Sequence, residues 1–106
     1  AIACVSDVIA IGAMQWLSEA GYTVGQDIAI TGFDDVPTAA HLSPPLTSVA
    51  QPLDTVGKMV IDILLEVLQG RQEHPHQVLL KPRLMIRASS ARVGASRPDE
   101  QPLPMP

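Results

Sequence analysis

Read from its first residue, the chain alternates apolar runs of strand length with longer stretches of helical spacing. Residues 1–5 are an unbroken apolar run closed by the polar pair Ser6-Asp7, the pattern of a buried strand. Residues 8–20 follow with helical spacing. Ser6 or Asp7 stands where a side-chain oxygen can cap the first amides, and Gly21 ends the run. A turn at Gly25-Gln26-Asp27 leads into a second apolar stretch, 28–32, again without polar alternation. Strands of that kind are covered on both faces, as in a parallel sheet, so the first third predicts a right-handed βαβ unit.

Residues 33–37 then make a loop at the carboxyl end of the second strand, and 38–42 one helical turn that Pro44-Pro45 cannot extend. A third strand is expected over 47–50. Pro52 suits the first position of a second helix that runs to Gln69 and stops at Gly70. Leu53, Val56, Val60, Ile63, Leu64, Val67 and Leu68 fall on one face of it, and Thr55, Lys58, Asp62, Glu66 and Gln69 on the other. That division predicts a surface helix lying on a sheet. Residues 71–76 form a polar loop, and 77–80 and 83–87 read as two strands joined through Lys81-Pro82. The tail from Ser89 is rich in Ala, Ser, Arg and Pro and is expected to be disordered because it cannot offset its chain entropy, with the domain placed at 1–90 and the disordered tail at 91–106.

The first helix carries more than a core stripe. Ala10, Ala13, Leu17 and Ala20 face inwards with Ile9 and Trp16 on their flank, while Ile11 and Met14 point to the side that holds Gln15 and Ser18. An exposed Ile beside an exposed Met reads either as a partner surface or as scattered surface hydrophobics.

Composition narrows the class. Of the 106 residues, 46% are hydrophobic but only Trp16, Tyr22 and Phe33 are aromatic, so the core is aliphatic, as suits an α/β protein. The net charge is -4 with no cluster of Lys or Arg, so this segment lacks the basic face that a duplex reader needs. A single cysteine, Cys4, fits a small core hydrophobe in a reducing compartment, the cytoplasm. No apolar stretch reaches membrane-spanning length. The chain opens in a strand without an initiating Met, which reads as a cut through a longer protein.

Ligands of open α/β sheets sit beyond the carboxyl ends of the strands. Three polar segments fall there: Ser6-Asp7, Phe33-Asp34-Asp35 and Gln51-Pro52-Leu53. Carboxylates and amides are the groups that orient a hydroxyl-rich ligand. Each has a plainer reading: Asp7 as a helix cap, Asp34 and Asp35 as Asx-turns, Gln51 as a partner of nearby backbone. Catalysis is not expected, since adjacent carboxylates diverge and no nucleophile elbow, phosphate loop or Cys-His pair is present. Glu73, His74 and His76 are too few for a structural metal site and read as solvated. No cofactor is implied.

Taken in order, these segments resemble one family. Ala3-Cys4-Val5-Ser6-Asp7-Val8-Ile9-Ala10-Ile11-Gly12-Ala13, then Gly21-Tyr22-Thr23-Val24, then Asp27-Ile28-Ala29-Ile30-Thr31-Gly32-Phe33-Asp34-Asp35 are similar to the LacI/GalR transcription regulators. So are Pro44-Pro45-Leu46-Thr47-Ser48-Val49 with Gln51-Pro52, and Lys81-Pro82-Arg83-Leu84-Met85-Ile86-Arg87. The resemblance spans residues 1 to about 90 and implies part of the carboxyl-terminal lobe of a periplasmic-binding-protein-like domain. The expected architecture is a mostly parallel sheet with flanking helices and a C-terminal antiparallel strand pair. It implies a homodimer that binds a small effector, often a sugar, and reaches operator DNA through a headpiece absent from this chain. By position, Ser6, Asp34, Gln51 and Leu53 are the implied effector-binding residues, Leu53 standing where some members have an aromatic. Asp7 remains mainly a helix cap, and Ile11, Met14 and Leu42 match positions that pack across the dimer. A sugar-binding component of a transport system, which shares the fold, is the alternative. With only part of a lobe present, the isolated chain is expected to associate with itself through open edges.

Overall fold

A computed structural model describes residues 1–71 and 77–91. The polar loop at 72–76, with Glu73, His74 and His76, and the tail from residue 92 lie outside the described residues.

Four strands and two α-helices build the fold: β1 (Ile2–Ala3), α1 (Asp7–Glu19), β2 (Ile30–Phe33), β3 (Thr47–Ala50), α2 (Leu53–Leu68) and β4 (Arg83–Met85), with a 3-10 turn at Pro37–His41. The sheet order is β1-β2-β3-β4. The first three strands run parallel, Ile2 opposite Ile30 and Gly32 opposite Ser48, and β4 lies antiparallel to β3 with Arg83 opposite Ala50. The expected α/β architecture is therefore present, with its antiparallel pair made by β3 and β4. Residues 77–80, expected as a strand, are not one.

The core is aliphatic, as the scarcity of aromatics requires. Ala10, Met14 and Leu17 of α1 meet Val24, Ile30, Ala39 and Leu46, with Cys4 packed against the cluster. Ile30 and Leu46 are fully enclosed, and each contributes on the order of 1.5–3 kcal/mol by leaving water. Of the expected stripe on α1, Ala10 and Leu17 are buried while Ala20 is exposed. Met14 corrects the sequence reading in the other direction: it is only 7% exposed, because a long flexible side chain can fold beneath the edge of its helix.

Two corrections concern the helix ends and faces. Ser6, not Asp7, is the N-cap of α1; its backbone is extended and its hydroxyl accepts from the Ile9 amide at 3.4 Å. Asp7 is the first helical residue and is wholly enclosed. Second, α2 does not lie on the sheet. None of its residues is buried. Its apolar side instead meets residues 77–80, where Val56, Met59, Val60 and Ile63 share a hollow of about 350 Å³ with Val78 and Leu80. Of the expected apolar face, Val56, Val60 and Ile63 line that hollow, but the surface they meet is not the sheet of this chain.

Ser89 corrects a further expectation. Far from starting a disordered tail, it is completely buried. Its hydroxyl donates to the Ile30 carbonyl at 2.7 Å and accepts from the Thr47 amide at 2.8 Å, while its own amide donates to Pro45. The short polar residue thus closes the sheet at the amino-terminal starts of β2 and β3, where backbone groups would otherwise lack partners.

Candidate functional site

Parallel strands place their carboxyl ends on one edge. Ser6 follows β1, Asp34 follows β2 directly and Gln51 follows β3 directly, so the topology carries all three expected residues to the same side. Asp34, Gln51 and Leu53 also line one concavity of about 340 Å³, together with Asp35, Asp54 and Thr55. Ser6 does not line it. Its hydroxyl oxygen is engaged at the N-cap, and Ser6→Ala should lower stability by about 0.5–1 kcal/mol in urea unfolding, whereas Ser6→Gly should cost only a few tenths.

The loop that presents Asp34 has an unusual backbone. Asp34 has φ 106° and Asp35 φ 52°, both in the half of conformational space that L-residues rarely occupy. Such geometry costs on the order of 1–3 kcal/mol per residue and persists only where surrounding contacts over-determine it. Here three successive amides are pinned: Asp34 donates to the Val49 carbonyl at 2.9 Å, Asp35 to the Ser48 hydroxyl at 3.0 Å and Val36 to the Asp7 carboxylate at 2.8 Å.

The carboxylates are spent on side chains and not on Asx-turns. Gln51 Nε2 donates to Asp34 Oδ1 at 2.8 Å, which aims the Asp34 carboxylate at the rim of the concavity. Arg87 Nη1 donates to Asp35 Oδ1 at 2.6 Å and to the Leu46 carbonyl at 2.8 Å. Asp35 is therefore a structural anchor tied to Arg87, while Asp34 is tied to Gln51. Gln51, which could have paired with backbone alone, instead orients the acid.

Sequence reading gave no role to Ser48 or Arg87 and gave Asp7 the wrong one. Ser48 and Asp7, both fully buried, join at 2.6 Å, and Arg87 reaches back from beyond β4. A serine inside a short apolar strand, and a single arginine following Met85-Ile86, were the only signals that could have drawn notice.

A second concavity, about 350 Å³, lies on the flank of α1. Ile11, Met14 and Leu42, the residues expected at a dimer contact, line it together, alongside Gln15, Ser18 and Glu19. Among the described residues no three His, Cys, Asp or Glu side chains converge as metal ligands, and no helix is long and apolar enough to cross a membrane.

This geometry has known counterparts. The periplasmic binding protein-like domain matches residues 1–90. A ribose operon repressor of Haemophilus influenzae is 37% identical over 84% of the chain. The chain spans 27% of that repressor's length, and no more than 28% of three further regulators it matches. Among solved structures, a transcriptional regulator in complex with cellobiose superposes with a TM-score of 0.79 at 33% identity, covering 82% of this chain and 27% of its own. A lac repressor dimer bound to operator and an anti-inducer gives 0.77 at 34% identity, covering 84% and 27%. The fold and the family match define an effector-binding domain of the periplasmic-binding-protein type. The chain belongs to the LacI/GalR family of transcriptional regulators, as the C-terminal part of that domain. Its relatives are named repressors and regulators, not enzymes.

Proposed function

We propose that this chain is the part of a regulator that senses a polyhydroxylated small molecule, most simply a sugar, at the rim formed by Asp34, Gln51 and Leu53. The observation that carries this reading is the Asp34 carboxylate, held by Gln51 on a strained loop at the edge of the concavity. A carboxylate there offers acceptor oxygens to adjacent hydroxyls, and Leu53, 61% exposed, offers an apolar surface to a ring face. Ser6 joins the site only if its remaining hydroxyl proton reaches the ligand. The cellobiose-bound relative supports the choice of ligand class.

The flank of α1 with Ile11, Met14 and Leu42 serves a second copy of the chain, a reading supported by the dimeric lac repressor with the same fold. Contact with operator DNA belongs to segments outside this acidic chain, in the cytoplasm, and the effector acts by binding one lobe arrangement better than the other. Names of relatives as operon repressors favour this reading over a transport component.

The test is Asp34→Ala in the full-length protein, with operator release followed against a panel of monosaccharides and disaccharides that includes ribose and cellobiose. Loss of a charge-assisted hydrogen bond should raise the sugar concentration for half-release by about tenfold or more, with operator affinity in the absence of sugar unchanged. Unchanged release by the active sugar would defeat the assignment.

A further inference from the structure

We infer that Asp7 is the positioning residue of the ligand loop, holding Asp34 and Asp35 in place from helix α1 without itself reaching the ligand; the inference rests on the effector reading above. Its carboxylate is fully enclosed, and both oxygens are committed. Oδ2 accepts from the Val36 amide at 2.8 Å, directly after the strained pair. Oδ1 accepts from the Ser48 hydroxyl at 2.6 Å, and that hydroxyl in turn accepts from the Asp35 amide at 3.0 Å. Two of the three amides that pin the loop therefore end, directly or through one serine, on a single side chain.

Other features point the same way. Gly32 lies in β2 opposite Ser48, and a Cβ there would collide with Asp7 Oδ1, so the strand keeps clear the space the carboxylate fills. Asp7 is also the first residue of α1, the helix whose flank carries Ile11 and Met14. One carboxylate thus fastens the ligand loop to the start of the helix that borders the second concavity. A wholly enclosed acid with two strong donors holds a geometry, because moving either donor leaves a buried charge under-satisfied.

Asp7→Asn keeps the shape but exchanges one acceptor oxygen for an NH₂ group, so either the Val36 amide loses its acceptor or Ser48 must accept from the new NH₂ and its own hydroxyl proton loses its buried acceptor. In the full-length protein, hydrogen exchange of peptides covering residues 33–38 should quicken about tenfold, while peptides from 14–19 in α1 stay unchanged. The half-release concentration for the active sugar of the same panel should rise by about tenfold as well, with sugar-free operator affinity retained. Ser48→Ala, which removes only the relay to Asp35, serves if Asp7→Asn fails to fold, and should give a smaller change at the same peptides. Uniform acceleration across all peptides, or none at 33–38, would show that Asp7 only supports the core and overturns the inference. Release abolished by Asp34→Ala yet unaltered by Asp7→Asn defeats the positioning role alone. Release that survives Asp34→Ala defeats the effector reading, and the exchange pattern then judges Asp7. The exchange pattern also decides if no sugar on the panel releases the unaltered protein.

Discussion

Gly32→Ala should destabilise the fold by about 3 kcal/mol, the largest single-residue loss expected outside the aliphatic core. The added methyl would overlap the Asp7 carboxylate and sit 3.2 Å from both its Cα and its Cγ. Asp7 cannot retreat cheaply, because it begins α1 and its oxygens are bound to Val36 and Ser48. Overpacking of this kind costs about 1–3 kcal/mol, and each buried hydrogen bond broken in relieving it adds roughly another 1 kcal/mol or more. The measurement is the urea midpoint at constant m-value. Truncating the obstacle supplies the control: Asp7→Ala combined with Gly32→Ala should be less unstable than the sum of the two single variants, since the collision is then gone. A loss under about 1 kcal/mol for Gly32→Ala would mean the carboxylate is not held where the hydrogen bonds place it.

Arg87→Ala should cost about 2–3 kcal/mol, less than a fully enclosed pair would because solvent still reaches both partners. The Arg87 and Asp35 side chains are 16% and 19% exposed. Removing the guanidinium strands a partly buried carboxylate on a residue already at φ 52° and takes a donor from the Leu46 carbonyl. Arg87→Met retains most of the apolar stem, so it separates lost packing from lost charge. In a double-mutant cycle with Asp35→Asn the coupling should exceed about 1 kcal/mol; additive losses would show that the pair contributes nothing as a pair.

How far the sequence disclosed this arrangement depends on the kind of contact. Strands β2 and β3 and helix α1 were legible because an apolar run between Gly or Pro breaks has few other solutions. The shared edge of Asp34 and Gln51 followed from parallel pairing alone, and their meeting with Leu53 at one concavity agrees with it. Asp7 was misread because capping preference is a local rule, and Ser6 beside it satisfies the same rule. What decided between them was Ser48, 41 residues away. Ser89 was misread for a related reason. Its neighbours look like a tail, and only the free carbonyl of Ile30, distant in sequence, explains why a serine is enclosed there. The face of α2 was legible, but an apolar stripe says that a helix needs a cover and not which surface supplies it.

That last point bears on how unfolding experiments will read. A helix of 16 residues with no enclosed side chain is held mainly by its own backbone ladder, which is marginal in water at this length. Its β-branched residues Val56, Val60, Ile61, Ile63 and Val67 weaken it further. Within this chain α2, packed against residues 77–80, is therefore expected to fray before the cooperative unit made by α1 and the strands. Helical ellipticity will fall before that unit melts, and only a probe placed beside Ile30 or Leu46 will track the transition that the Gly32 and Arg87 variants alter.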